Sequence, residues 1–262
     1  MSLGSYELFA EYFKHRSGLD LKCYKQTQMQ RRIEQFIVNS GFRSYLVFKD
    51  SLEKSPELLT SFMRHLTINV SQFFRDKAQW DMLREKILPA LRSSSYGTLR
   101  IWSAGCSSGQ EVYTLAIILQ EHFPMLNYTI LATDIDQTVL SQAELGIYRD
   151  SDLSSSNSLP SNIIEKYFTK TLDGFQVKER LKHNIKFQLK NLLLGAFDTS
   201  LDLIVCRNVV IYFTEETKGR IYQGFSESLR TGGVLFTGST EQIFNLAELN
   251  LKGIGPFLYQ KQ

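Results

Sequence analysis

The hydrophobic positions of this chain change period at two places, and the changes divide it. From Tyr6 to Leu66, apolar residues recur three and four apart in four runs: Tyr6–Ser17, Lys22–Asn39, Ser44–Lys54 and Pro56–Leu66. Gly18, Gly41 and Ser55-Pro56 punctuate them, so the pattern predicts a small helical bundle. In the second run Met29, Ile33, Phe36 and Ile37 form the inward stripe, while Lys25, Gln28, Arg32 and Gln35 share the opposite side and Arg31 flanks it. Another helix, through Trp80, Leu83, Ile87 and Leu88, is expected to stop at Pro89.

From Leu99 onward, short apolar runs alternate with helical spacing, as in a doubly wound sheet whose strands are buried on both faces. Leu99 to Leu119 reads as a strand, a small-residue turn through Gly105-Cys106-Ser107-Ser108-Gly109, and a helix carrying Val112, Leu115, Ala116 and Leu119. Tyr128–Thr133 is the second strand, ending at Asp134-Ile135-Asp136, with a helix from Val139 to Leu145. Between Gly146 and Lys190 the composition shifts: a serine-rich loop covers Ser154–Ser158, and Tyr167–Thr171 with Phe175–Lys178 flank a hairpin turn at Leu172-Asp173-Gly174. This predicts an inserted subdomain. Ile185–Leu189 and Leu201–Cys206 are further strands, then come a helix Thr217–Leu229, a turn at Gly232-Gly233, a strand Val234–Thr237, and a last strand Phe257–Tyr259 after Gly253 and Gly255.

Composition adds limits. With 43% hydrophobic residues over 262 positions the chain can bury a full core. No apolar run approaches the roughly 20 residues that span a bilayer, and no signal-peptide core is evident at the amino terminus, so a cytoplasmic location is expected. The three cysteines, Cys23, Cys106 and Cys206, have no metal-ligand spacing and read as reduced thiols. A net charge of +3 is too small for general nucleic-acid binding. The excess sits in residues 1–76, with 11 Lys+Arg against 8 Asp+Glu, whereas the remainder carries 19 of each. That segment is therefore the one suited to an acidic partner, although a solvated helical face gives the same pattern.

The turn after the first strand carries the candidate chemistry. Its glycines are spaced G-x-x-x-G, unlike the G-x-G-x-x-G of pyrophosphate-binding folds, and Glu111 follows in the first helical turn. A carboxylate there repels a pyrophosphate and suits an ammonium or sulfonium group, which favours S-adenosylmethionine over NAD. Asp134, at the end of the second strand, is placed to hold a ribose diol. Asn191 and Leu192 follow the third strand of this half, placed for an adenine edge and face. In the segment from Leu66 to Asp76, Asn69, Ser71 and Arg75 could converge on a ligand; Ser71 as a helix cap and Arg75 paired with Asp76 is the plainer alternative.

Taken together, T-I-N-V-S-Q-F-F-R-D at 67–76, W-S-A-G-C-S-S-G-Q-E at 102–111, A-T-D-I-D at 132–136, G-I-Y-R at 146–149 and C-R-N-V-V-I-Y-F at 206–213 resemble the CheR chemotaxis receptor glutamate methyltransferases over nearly the whole chain. The resemblance implies a small all-helical domain (1–66) for receptor recognition, followed by a Rossmann-like α/β domain (67–262) that binds S-adenosylmethionine, with a small β subdomain inserted at 147–190. It implies transfer of the methyl group to receptor glutamate carboxylates, leaving S-adenosylhomocysteine. Asn69, Ser71, Arg75, Gly105, Glu111, Asp134, Asn191, Leu192, Arg207 and Asn208 would line the cofactor pocket. Arg75 and Tyr212 would lie nearest the methyl group and the incoming carboxylate. Lys25, Arg31 and Arg32 would face the cytoplasmic helical region of methyl-accepting chemotaxis receptors, with the enzyme acting as a monomer, free of nucleic acid and not inserted in the membrane. Arg31-Arg32-Ile33-Glu34 is less arginine-dense than the second helix of some relatives, and Thr169–Phe175 lacks their longer glycine-rich loop, so tethering to a receptor tail is not expected. The alternative is a non-catalytic module that binds the cofactor and docks on receptors. An amino-group methyltransferase of the Asn-Pro-Pro-Tyr type is disfavoured by Val209-Val210 after Asn208.

Overall fold

The computed structural model describes residues 5–94, 97–154, 159–194 and 197–262; the expected serine-rich loop lies mostly outside them. Its contacts group into two units, one of residues 5–68 with Tyr212–Gly219, the other of Asn69–Ile211 with Arg220–Gln262.

The first unit holds α1 (Tyr6–Ser17), α2 (Gln26–Asn39), α3 (Tyr45–Lys54) and α4 (Pro56–Leu66). Local sequence sets their ends. Ser5, Ser44 and Ser55 cap α1, α3 and α4 by accepting from Leu8, Val47 and Leu58 backbone N–H groups. Pro56 opens α4, where a missing N–H costs nothing, and Gly18 closes α1 in the left-handed region. Phe9, Phe13, Ile33, Phe48 and Phe62 form the core, with Phe48 and Phe62 edge to face at 4.9 Å. The expected helix Lys22–Asn39 begins later than its pattern suggests. Leu21–Cys23 is a 3-10 turn and Tyr24 is extended, because Tyr24 bridges to Phe213 and the Lys25 N–H donates to the Tyr212 carbonyl at 2.9 Å.

The second unit begins with α5 (Lys77–Met82), a wide turn Leu83–Ile87, and α6 (Leu88–Ser94). Helical structure thus runs past Pro89. The wide turn opens the ladder just ahead of the proline, and α6 takes it in its first turn. The main elements are then β1 (Leu99–Ala104), α7 (Gln110–His122), β2 (Tyr128–Asp134) and α8 (Gln137–Leu145). The insertion contributes β3 (Ile147–Tyr148), α9 (Asp150–Leu153), α10 (Ser161–Tyr167), β4 (Phe168–Thr171), β5 (Gly174–Val177) and α11 (Glu179–Lys182). The chain continues through β6 (Ile185–Leu189), β7 (Leu201–Cys206), α12 (Glu215–Ser228), β8 (Leu229–Thr237), β9 (Leu251–Gly255) and β10 (Leu258–Lys261).

Seven strands form one sheet in the order β6-β2-β1-β7-β8-β10-β9. The first five are parallel and β10 is antiparallel to both its neighbours. Every residue of β7 is buried, as its apolar run demands. The insertion folds as a separate antiparallel sheet, β3-β5-β4, in which the motif residues Ile147 and Tyr148 form a strand that periodicity could not reveal. Two glycine signals are corrected. Gly232-Gly233 lies inside β8 instead of preceding it, because a Cβ on Gly233 would lie 2.8 Å from the Leu201 carbonyl oxygen, leaving room only for glycine as β7 and β8 approach. Gly253 and Gly255 lie within the edge strand β9, whose irregular register with β10 hides any alternation. Among the described residues, no helix is long and apolar enough to cross a membrane.

Candidate active site

The site grows from the ends of adjacent parallel strands, where a doubly wound sheet places its ligands. At the end of β1 the N–H groups of Gly105 and Cys106 both donate to the Thr133 carbonyl, at 2.8 and 2.9 Å. Gly105 has φ +82°, and a Cβ there would lie 2.5 Å from Val209 Cγ2, so this turn admits only glycine. Ser107, also left-handed at φ +49°, donates its N–H to Asp134 Oδ2 at 2.8 Å, while the Asp136 N–H donates to Asp134 Oδ1 at 3.0 Å. Asp134 is thereby fixed from both sides. Burial raises its pKa above the ordinary value even though these hydrogen bonds pull the other way. Asp136 caps α8 through the Thr138 N–H and accepts from Asn69 Nδ2 at 2.9 Å, tying the 69–76 segment to the end of β2.

Glu111 stands in the first turn of α7. Its Oε1 accepts from Ser103 Oγ at 3.1 Å, and its Oε2 lies 3.7 Å from Arg207 Nη1. Arg207 is buried over the faces of Trp80 and Phe236, at 5.1 and 4.9 Å. Its Nη2 reaches the Arg75 carbonyl at 3.0 Å, Asp76 Oδ2 at 3.0 Å and Gln79 Oε1 at 2.9 Å. Its buried Nε has no hydrogen-bond partner among the described residues. Arg207 is therefore shared among several acceptors and compensates Glu111 only in part. Burial lifts the Glu111 carboxyl to about 7, against the opposing pull of Arg207 and Ser103.

Beyond β7 the chain turns sharply at Asn208, φ +61°. The Glu241 carboxylate holds this turn, accepting N–H groups from Asn208 (2.6 Å), Val209 (2.8 Å), Val210 (2.9 Å) and Gly238 (2.8 Å). Sequence reasoning missed Glu241. Its one signal is an acidic residue just past the end of an apolar strand that pairs with β7.

The structure brings Arg75, Arg207 and Glu111 into one cluster and places Asp134 against the glycine turn. Asp76 pairs with Arg207 in place of Arg75, and Ser71 lies ahead of α5, whose N-cap position is Asp76. Asn69 and Ser71 line a cavity of about 540 Å³ with Ser108, Gln110, Tyr148 and Arg149. Asn191 is turned inward on its own loop, its Oδ1 accepting the Leu193 N–H at 2.9 Å. Leu192 lines a different cavity, of about 330 Å³, with Phe197, Arg220 and Gly224. Tyr212 groups with the helical unit, as do Lys25, Arg31 and Arg32. Arg31 is exposed, but the expectation of a free Arg32 is corrected: its Nε donates to the His65 carbonyl, and its carbonyl meets His65 Nε2 at 3.0 Å. A side chain long enough to cross α2 satisfies the orphan carbonyl at the end of α4.

A largely parallel α/β sheet with a carboxylate in the first turn of α7 and another at the end of β2 defines an α/β domain of the kind that holds a nucleoside-type cofactor. Residues 69–252 match the family described as CheR methyltransferase, SAM binding domain, and residues 4–67 match CheR methyltransferase, all-alpha domain. The chain belongs to the CheR methyltransferase family. It is 41% identical over 256 residues to a chemotaxis protein methyltransferase of Listeria monocytogenes, covering 98% of this chain and 97% of that one. A chemotaxis protein methyltransferase of Borreliella burgdorferi is 36% identical over 257 residues, covering 93% and 89%. The chain is an S-adenosylmethionine-dependent methyltransferase of chemotaxis. Its residues fit that cofactor: an undercompensated, partly buried carboxylate at Glu111 can take an ammonium, and Asp134 is oriented with lone pairs left for a diol.

Proposed function

We propose that this chain methylates glutamate side chains in the cytoplasmic helical region of chemotaxis receptors, yielding glutamyl methyl esters and S-adenosylhomocysteine. The observation that carries the reading is the Glu111 carboxylate, its side chain 13% exposed, held by Ser103 and only partly compensated by Arg207. It supports a cationic methyl donor bound at the helix start. The chemotaxis names of the full-length relatives support the receptor as acceptor.

When bound, S-adenosylmethionine supplies an electrophilic methyl on a sulfonium, so a carboxylate oxygen–carbon bond forms as the carbon–sulfur bond breaks and its electron pair stays on sulfur. Glu111 would hold the ammonium and Asp134 the ribose hydroxyls. Asn69, Ser71, Arg75, Gly105, Arg207 and Asn208 would line the rest of the pocket, and Asn191 and Leu192, the latter bordering the separate cavity near Phe197, are assigned to its adenine side on the family resemblance. A glutamate carboxyl has a pKa near 4.3 and is ionised at neutral pH, so no residue has to remove a proton. Arg75 and Tyr212 instead orient the carboxylate and exclude water from it, effects worth roughly 7–11 kcal/mol in well-aligned systems.

The test is incubation with methyl-labelled cofactor and receptor-enriched membranes, followed by alkaline release of volatile methanol. Labelled, base-labile methyl on receptors is expected. Cofactor binding with no such label would overturn the reading and leave a docking module.

A further inference from the structure

Outside the residues assigned above, the buried carboxylate of Glu241 has closely defined surroundings. Four backbone N–H groups converge on it, three of them consecutive, from Asn208, Val209 and Val210. Glu241 sits in a tight turn after β8, with its N–H donating to the Gly238 carbonyl and its carbonyl accepting from Thr237 Oγ1, both at 3.0 Å. The turn aims its side chain sideways across the sheet at the end of β7. There Asn208 holds a left-handed conformation, φ +61°, which asparagine adopts more readily than most residues with a side chain, and three successive N–H groups point the same way. Such a nest needs an anion. Glu241 supplies it from within the chain.

We propose that Glu241 is a positioning residue of the cofactor site: its carboxylate fixes the backbone of Asn208 to Val210 and so holds the preceding Arg207 beside Glu111. The proposal rests on the assignment of Arg207 and Glu111 to the cofactor pocket. Gly238 supports it. A Cβ at that position would lie 2.7 Å from Glu241 Oε2 and 2.9 Å from the Asn208 nitrogen, so the clamp has been given no spare room. The negative charge also reaches the pocket. Burial is the main cause of the raised Glu111 pKa; of the charged groups acting on it, Arg207 and Arg75 oppose the rise and Glu241 adds to it. The buried thiols of Cys106 and Cys206 beside them stay neutral, pushed well above their usual range.

The experiment compares S-adenosylhomocysteine binding by calorimetry from pH 5.5 to 8 in wild type, Glu241→Gln, Gly238→Ala and Glu111→Gln, with thermal melts to establish folding. An amide can accept on one oxygen only, so Glu241→Gln should lose at least about tenfold in affinity. Because it also removes a like charge from Glu111, the pH at which its binding rises should move downward. Gly238→Ala intrudes on the clamp but keeps the charge, so it should weaken binding with the pH midpoint unmoved. A merely structural Glu241 would lower the melting temperature and leave affinity and midpoint where they are, which overturns the proposal. If Glu241→Gln does not fold, Gly238→Ala decides: weakened binding supports the clamp and wild-type binding refutes it. Glu111→Gln separates the two claims, since wild-type affinity in that variant overturns the pocket assignment itself and the proposal with it.

Discussion

Arg207 Nη1 and Glu111 Oε2 lie 3.7 Å apart, too far for a hydrogen bond and close enough for an ion pair. The gap follows from how Arg207 is held. Stacked on Trp80 and Phe236 and engaged by Asp76, Gln79 and the Arg75 carbonyl, it cannot slide toward Glu111 without abandoning those partners. The result is a partly buried carboxylate with one hydrogen bond among the described residues and a distant counter-charge, which a ligand ammonium would complete.

The first prediction concerns pH. Glu111 titrates at about 7 in the folded chain against an ordinary 4.5, so between those values the folded state binds more protons than the unfolded state. Its contribution to stability is therefore present below about 4.5 and is lost as pH rises toward 7, by on the order of 3 kcal/mol. Binding of the cofactor ammonium should run the other way, strengthening as pH rises through 7. Glu111→Gln should flatten both trends. Urea melts and calorimetry across this window measure them, and parallel wild-type and variant curves would remove Glu111 from the ammonium site.

A second prediction takes the other carboxylate. Asp134→Ala removes the acceptor for a ribose diol and also strands the Ser107 and Asp136 N–H groups. S-adenosylhomocysteine affinity should fall by about 1–3 kcal/mol. Asp134→Asn can still accept from one of the two N–H groups, so it should lose less. Equal affinity in all three proteins would separate Asp134 from the ribose.

Arg75 and Tyr212 make the third. Arg75→Ala and Tyr212→Phe should each slow methyl transfer more than they weaken cofactor binding, since they are assigned to the methyl and carboxylate end. The Arg75 carbonyl bonds of Trp80 and Arg207 come from backbone and survive the substitution. Rate and affinity measured on the same variants give the split; transfer at the wild-type rate by Tyr212→Phe would make its hydroxyl irrelevant to the step.

Much of the fold was legible because its signals are local. The caps at Ser5, Ser44 and Ser55, the apolar run of β7 and the small-residue turn after β1 each carry their reason within a few residues. What stayed hidden depends on partners distant in sequence. Tyr24 leaves the helix because of Phe213, Gly233 lies within a strand because of Leu201, and Glu241 matters because of Asn208. The same distinction divides the site. Glu111 and Asp134 announce themselves beside a turn, whereas the sharing of Arg207 with Asp76 and Gln79 needs two segments brought together by the fold.

The fourth prediction tests the turn itself. Gly105→Ala places a methyl against Val209 in a left-handed backbone position, so it should destabilise the protein by about 1–3 kcal/mol and displace the loop that follows β7. Val209→Ala in the same chain should recover part of the loss by clearing the space. A double-mutant cycle by denaturant melts measures the coupling, and additive losses would show that the two residues do not press on each other.

The last prediction concerns the receptor and must allow for Arg32. With its guanidinium committed to the His65 carbonyl, Arg32 is half-buried, and its substitution would disturb the packing of α2 on α4 as well as any partner. Arg31 is exposed and Lys25 half-exposed at the start of the same helix, so Lys25→Glu with Arg31→Glu is the cleaner reversal. Charge confined to a solvated face should act weakly and fade as the Debye length shortens from about 10 Å at 0.1 M salt to 3 Å at 1 M. The double variant should raise the apparent KM for receptor and lessen its salt dependence, with S-adenosylhomocysteine affinity unchanged. Receptors lacking their carboxyl-terminal tail should be methylated as well as intact ones, because the hairpin between β4 and β5 is short, turning through Leu172 and Asp173. Steady-state methylation at several salt concentrations decides both points. Salt-independent rates with an unaffected double variant would refute the basic face, and activity that depends on the tail would refute recognition without a tether.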